Sequence, residues 1–125
     1  MEQREQIIQH YIESYNNFDI EGMLKDLDEN VQFENISNGE VNLSTKGLAA
    51  LKEQAEKAKA FFSSRKQIIK SFQHTDNKAE IEIDYHAVLA IDFPNGLKKG
   101  DELNLKGKSI FVFDGSKIIA ITDIS

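Results

Sequence analysis

QHYIESYNNFDIEGMLKDLDENVQFEN, running from Gln9 to Asn35, holds two helical periods followed by a strand. Ile8, Tyr11, Ile12 and Tyr15 recur at i, i+3, i+4 and i+7, which predicts an amphipathic helix from about Gln3 to Asn16. Asn16-Asn17 ends it, and Asp19 stands where it can cap a short second helix whose Ile20, Met23, Leu24 and Leu27 repeat the spacing. After Asp28-Glu29-Asn30 the period drops to two, with Val31, Phe33 and Asn35 on one side and Gln32 and Glu34 on the other. Val31 to Asn35 is therefore predicted as the first strand, and it ends in an amide beside an acid.

Downstream, ISNGEVNLSTKG carries turn formers and a brief strand at Val41 to Leu43. A third helix is predicted from about Lys46 to Phe62, with Leu48, Leu51, Ala55, Ala58 and Phe62 on its inner face. From Arg65 onward helical periodicity stops. Four β segments follow, at about Lys66 to His74, Lys78 to Phe93, Asp101 to Asp114 and Lys117 to Ile124, divided by turn signals at Thr75-Asp76-Asn77, Pro94-Asn95-Gly96 and Asp114-Gly115. Joins this short predict antiparallel hairpins. Three helices in the first half and a meandering sheet in the second give an α+β domain with helices on one face of a curved sheet, spanning 1–125 as one unit.

In the long strand Ile81, Ile83, Tyr85, Ala87, Leu89 and Ile91 are expected to face the helices, and in the next strand Leu103, Leu105, Ser109, Phe111 and Phe113. The outer face then sets Glu80, Glu82 and Asp84 beside Lys106 and Lys108, a cross-strand charge ladder. Val88, Ile110 and Val112 form its apolar end, a surface on which a second subunit is expected to pack.

Composition narrows the function classes. A chain of 125 residues with 40% apolar content builds one core. A net charge of −6, with 15 Lys and Arg scattered among 21 acids, repels a phosphate backbone and excludes nucleic acid and anionic membrane as expected partners. Without cysteine there is no disulfide, no thiolate nucleophile and no Cys-ligated zinc. MEQREQ lacks the apolar core of a signal peptide, and the longest apolar run, Ala87 to Ile91, falls far short of the roughly 20 residues that span a bilayer, so a cytoplasmic protein is expected.

The helix, short helix, strand, helix, sheet order, the tyrosine-bearing first helix, the Asp19-Ile20-Glu21-Gly22-Met23 segment and DENVQFEN into the first strand resemble the nuclear transport factor 2-like superfamily. Its ketosteroid isomerase and SnoaL-type polyketide cyclase branches are the most similar. The resemblance implies a cone-shaped domain with a pocket between curved sheet and helices, and a homodimer through the outer sheet face. It also places the isomerase's carbonyl-polarising tyrosine on Tyr11, its carboxylate base on Asn35 and its second oxyanion donor on Ser109. In ketosteroid isomerases such a site pairs a carboxylate base with a tyrosine and a protonated carboxylic acid. An asparagine amide is not basic, so isomerase-type proton transfer through position 35 is not expected, and alternation turns Glu34 to the opposite face.

Tyr11 and Tyr15 lie on an apolar stripe where tyrosines are commonly core residues, and Ser109 among phenylalanines also suits a small packing role. Asn35 on an inner face is less usual, because a buried amide left unbonded costs about 1 to 3 kcal/mol. His10 is expected to be exposed, His74 at a strand end, and His86 on the outer face beside the acidic row. No metal site, cofactor, nucleophile elbow or phosphate loop is indicated, and the inner-face His and Asp, or Asp and Arg, that the superfamily's dehydratase and epoxide-hydrolase branches require are not evident. The resulting expectation is a pocket lined by Tyr11, Tyr15, Phe33, Asn35, Tyr85, Ser109 and Phe111 that binds a small, mostly apolar carbonyl- or hydroxyl-bearing molecule. The alternatives are a SnoaL-like enzyme acting on a polyketide or ketone through an unidentified base, and a dimeric interaction module without a ligand.

Overall fold

The computed structural model describes residues 2–125, and no helix among them is long and apolar enough to cross a membrane. Helix α1 is Glu2–Asn16, α2 is Ile20–Leu24 and α3 is Leu48–Lys59; strands β1 to β6 are Leu27–Ser37, Glu40–Lys46, Phe62–Thr75, Lys78–Leu89, Glu102–Asp114 and Lys117–Ile124. One sheet runs in the order β2-β1-β6-β5-β4-β3. Every neighbouring pair is antiparallel except β1 and β6, which run parallel.

The helices form where the period demanded. Ile8, Tyr11 and Ile12 of α1 are buried, as are Ile20, Met23 and Leu24 of α2. The Asp19 side chain accepts the Gly22 backbone N–H at 3.0 Å, which satisfies one donor that the helix start leaves unpaired. Gly22 also lets α2 close on α1, since a Cβ there would lie 2.4 Å from Ser14 Oγ. At the same C-terminal end of α1 the Asn16 side chain donates to Gln67 O at 3.1 Å and accepts Gln67 N–H at 2.8 Å, pinning the helix to the edge strand β3.

Strand ends moved more than centres. β1 extends back through Asp28-Glu29-Asn30, and its hairpin to β2 closes on Asn38 (φ 54°) and Gly39 (φ 80°), the two-residue turn that needs left-handed backbone at both positions. α3 ends at Lys59, so Phe62, expected on its inner face, instead opens β3. β4 ends at Leu89, short of the expected Phe93, and Ile91 is 42% exposed in the following loop.

The concave face buries Ala79 and Ile81 of β4, Phe111 and Phe113 of β5, and Ile118 and Ile121 of β6 in one core with the helices, and Ala87 and Leu89 farther along β4 are buried too. On the outer face Glu82 stands opposite Lys108 and Asp84 opposite Lys106, and Lys106 contacts Asp84 at 3.1 Å, so the ladder forms. Solvent screens these exposed pairs, so they add little to stability. Val88 does not join Ile110 and Val112. The register puts Val88 opposite Glu102 and Val112 opposite Lys78, at opposite ends of the β4–β5 pair, because antiparallel pairing reverses the order of the second strand.

Phe111 is fully buried, with the Tyr11 ring edge-on at 5.7 Å. Its expected role as a pocket wall gives way to one in the core. Phe111→Ala should lower unfolding free energy by about 3 to 5 kcal/mol in urea denaturation.

Candidate functional site

Three polar side chains stand abreast on the concave face. Asn35 of β1 pairs with Asp123 of β6, and Asp123 pairs in turn with Ser109 of β5. Neighbouring strands lie about 4.8 Å apart, so the three form a short row across the sheet. Ser109, 2% exposed, donates its hydroxyl to Asp123 Oδ1 at 2.6 Å. The Asn35 amide turns the other way and donates to Asn42 Oδ1 of β2 at 2.8 Å.

Asp123 is the acid that the sequence reading missed. Burial pushes its carboxyl up to about 6, and the Ser109 hydroxyl, by bonding to the charged form, holds it from rising further. The expectation of a pocket without a proton acceptor is therefore corrected: a carboxylate stands one strand from the position where the resemblance puts the base. Glu34 faces outward as alternation requires, since the β1–β2 register shift falls after Asn35. The signal for Asp123 was its placement two residues beyond Ile121 on the last strand. An acid at a strand end usually faces water, however, and its burial here follows from β1 covering its other side.

Above this row lies a cavity of two lobes, about 340 and 300 Å³, which share Tyr15, Asn35, Phe62 and Asp123 as walls. The outer lobe adds Ser109, Tyr85, Gln67 and Leu105, the last 50% exposed at its rim. The inner lobe adds Tyr11, Phe33, Leu51, Phe61 and Arg65. Of the expected site residues, Tyr11, Tyr15, Phe33, Asn35, Tyr85 and Ser109 border the cavity, and Phe111 does not.

The tyrosines divide into two kinds. Tyr15 and Tyr85 bond to each other through their hydroxyls at 2.9 Å, whereas the Tyr11 hydroxyl makes no hydrogen bond among the described residues. Burial, with Asp123 nearby, pushes the Tyr11 phenol far up, so it stays protonated and keeps a hydroxyl that can donate a hydrogen bond. Burial likewise raises Tyr15 and Tyr85.

Arg65, on the inner side of β3, was also missed. It is 5% exposed, and its Nε donates to the Tyr15 carbonyl at 2.9 Å. The inner lobe thus contains both an Asp and an Arg, contrary to the expectation that no such set exists, although the two form no ion pair among the described residues. Of the histidines, His10 is partly buried rather than exposed, and its Nε2 has no hydrogen-bond partner among the described residues. His74 bonds Glu5 at 2.7 Å, and His86 meets Asn104 on the outer face.

Ser109→Ala removes the only hydrogen bond to the Asp123 carboxylate among the described residues. The Asp123 pKa should then climb above about 6, which carboxyl-carbon NMR titration would register directly.

The sequence matches no protein-family model and no curated protein. Solved structures do match over almost the whole chain. A candidate polyketide cyclase from Xanthomonas campestris superposes with a TM-score of 0.83 at 20% identity, covering 99% of this chain and 90% of that one. A SnoaL-like polyketide cyclase candidate from Jannaschia gives 0.82 at 7% identity, with 97% and 83% covered. A nuclear transport factor 2-like protein of unknown function from Burkholderia pseudomallei gives 0.80 at 12% identity, with 98% and 90% covered. At these identities the likeness is one of fold, and it agrees with the helix-on-sheet cone described above: the chain has the nuclear transport factor 2-like fold of the SnoaL-like proteins.

Proposed function

We propose that the cavity binds a small, mostly apolar molecule bearing a carbonyl or hydroxyl group, and that Asp123 transfers a proton to or from it. The observation that carries this reading is one carboxylate, held near pKa 6 by burial, bordering the same inner lobe as the unbonded Tyr11 hydroxyl. A base whose pKa lies near neutrality is well matched to proton transfer at carbon next to a carbonyl. Tyr11, protonated throughout the working range, would donate to the enolate oxygen as negative charge develops there. Ser109 then fixes the carboxylate through its hydrogen bond while Asn35, bonded to Asn42, borders the ligand space, and an amide at position 35 no longer argues against acid–base chemistry.

The same cavity serves a binding protein without turnover, and the neighbouring folds, which include candidate polyketide cyclases, favour an enzyme acting on a ketone or polyketide. A ligand-free interaction module has the least support, because the space between helices and sheet is not filled by side chains.

Incubation with ketosteroids and polyketide-like diketones in deuterated water, followed by proton NMR, tests the chemistry directly. Exchange at the carbon next to the carbonyl should rise with pH through about 6, as Asp123 ionises. Asp123→Asn should slow it by about a hundredfold to ten-thousandfold. Binding by these compounds without any exchange would leave a carrier and remove the enzyme.

Stability supplies an independent check on the same carboxyl. Its folded pKa of about 6 lies above the roughly 3.9 of an unfolded aspartate, so the native state holds the proton more tightly. Stability from this group is complete below about pH 4 and declines as pH rises to about 6. Asp123→Asn should therefore melt about 5 °C higher than wild type at pH 7.5, with the gain vanishing near pH 4.

A further inference from the structure

Arg65 is a permanently charged group in a place that gives it little to offset the charge. It lies on the inner side of β3, opposite Ala87 of β4, and borders the inner lobe of the cavity. A guanidinium carries five N–H donors and stays protonated at every physiological pH. Here Nε has the Tyr15 carbonyl, while Nη2 is buried with no hydrogen-bond partner among the described residues. No carboxylate lies within ion-pair distance among the described residues.

The fold nevertheless holds this cation firmly. The guanidinium carbon sits over the Tyr15 ring, 3.7 Å from its centroid, and over the Phe18 ring at 4.5 Å. Phe18 reaches this position from a left-handed backbone, φ 57°, which is costly for a bulky residue. Two aromatic faces and one carbonyl compensate a buried guanidinium only in part, because none carries a full negative charge. An exposed arginine on an acidic chain would have found a surface acid; this one is held away from all of them.

Asp123 bounds the same lobe and is the obvious counter-charge, yet the two do not meet. Tyr11, Tyr15 and Tyr85 feel both groups, Arg65 favouring ionisation of each phenol and Asp123 opposing it. The inner lobe is thus bordered by one cation and one acid that are not paired with each other among the described residues.

Accepting the cavity as a ligand site, we propose that Arg65 binds a carboxylate of the molecule held there, so that the ligand is a mostly apolar organic acid. Its carboxylate lies toward Arg65 and its proton-exchanging carbon or hydroxyl toward Asp123. The planar fork of a guanidinium matches a carboxylate in a way that a ketone oxygen does not. The proposal narrows the substrate class from neutral ketones to acids with an apolar body.

The test compares 2-naphthoic acid with 2-naphthamide, which share shape and differ in charge, by isothermal titration of the wild-type protein at pH 7. The acid should bind about tenfold more tightly, the ratio expected for one charge-assisted hydrogen bond over a neutral one. Arg65→Gln should erase that preference, and Arg65→Lys should keep part of it. Because Arg65 also holds the Tyr15 carbonyl, both variants are first checked by thermal melting; if neither folds, the wild-type acid-to-amide ratio alone decides. An amide that binds as well as the acid overturns the carboxylate assignment while leaving the cavity reading in place. Failure of both probes to bind at millimolar concentration counts against the assignment and the cavity reading together.

Discussion

β1 lies beside β6 and runs parallel to it, the single parallel contact in an otherwise antiparallel sheet. Parallel neighbours require a crossover, and here the whole intervening chain, from β2 through β5, supplies it. The first strand is thereby inserted next to the last, and Asn35 comes level with Asp123 and, through β5, with Ser109. Without that contact Asp123 would stand on a sheet edge in water. With it, the carboxylate is enclosed between two strands beneath the helices, and burial raises its pKa.

The helices complete the cavity rather than fill it. α1 is bound at one end through Asn16 to the β3 backbone and packs Ile8, Tyr11 and Ile12 into the core. Phe111 and its neighbours close the space beneath Tyr11, whereas nearer the C-terminal end of α1 the Tyr15 and Tyr85 hydroxyls meet and the interior stays open. Burial of apolar surface thus accounts for one half of the cone, and polar groups line the other. A site of that kind costs stability, since the guanidinium and the Tyr11 phenol are buried and the carboxylate and the other two phenols are partly withdrawn from water.

The place of the carboxylate bears on how one fold carries different chemistries. The resemblance to ketosteroid isomerases puts a base at the end of the first strand, where this chain has Asn35. The carboxylate found here projects from the neighbouring strand into the same space. Two positions on adjacent strands reach one cavity, so an amide at one does not settle the chemistry of the whole, and function has to be read from the assembled site.

Local order was legible because it depends on near neighbours. The stripe Ile8, Tyr11, Ile12, Tyr15 and the alternation Val31, Phe33, Asn35 fixed helix and strand by the geometry of burial alone, and the Asn38-Gly39 turn chose its own hairpin. Tyr11, Asn35 and Ser109 could be placed on the inner side by the same alternation. What alternation cannot decide is which strands become neighbours and in what register. Asp123 reads as a solvated acid near the end of the last strand until β1 covers it, and Arg65 reads as a polar residue before a strand until β3 proves to start at Phe62. Val88 joins or leaves Ile110 and Val112 on register alone. The sequence by itself determined the elements and their faces, because those follow from periods of a few residues. Only the tertiary structure decided the charged content of the cavity, because burial of Asp123 and Arg65 arises from contacts between segments far apart in the chain.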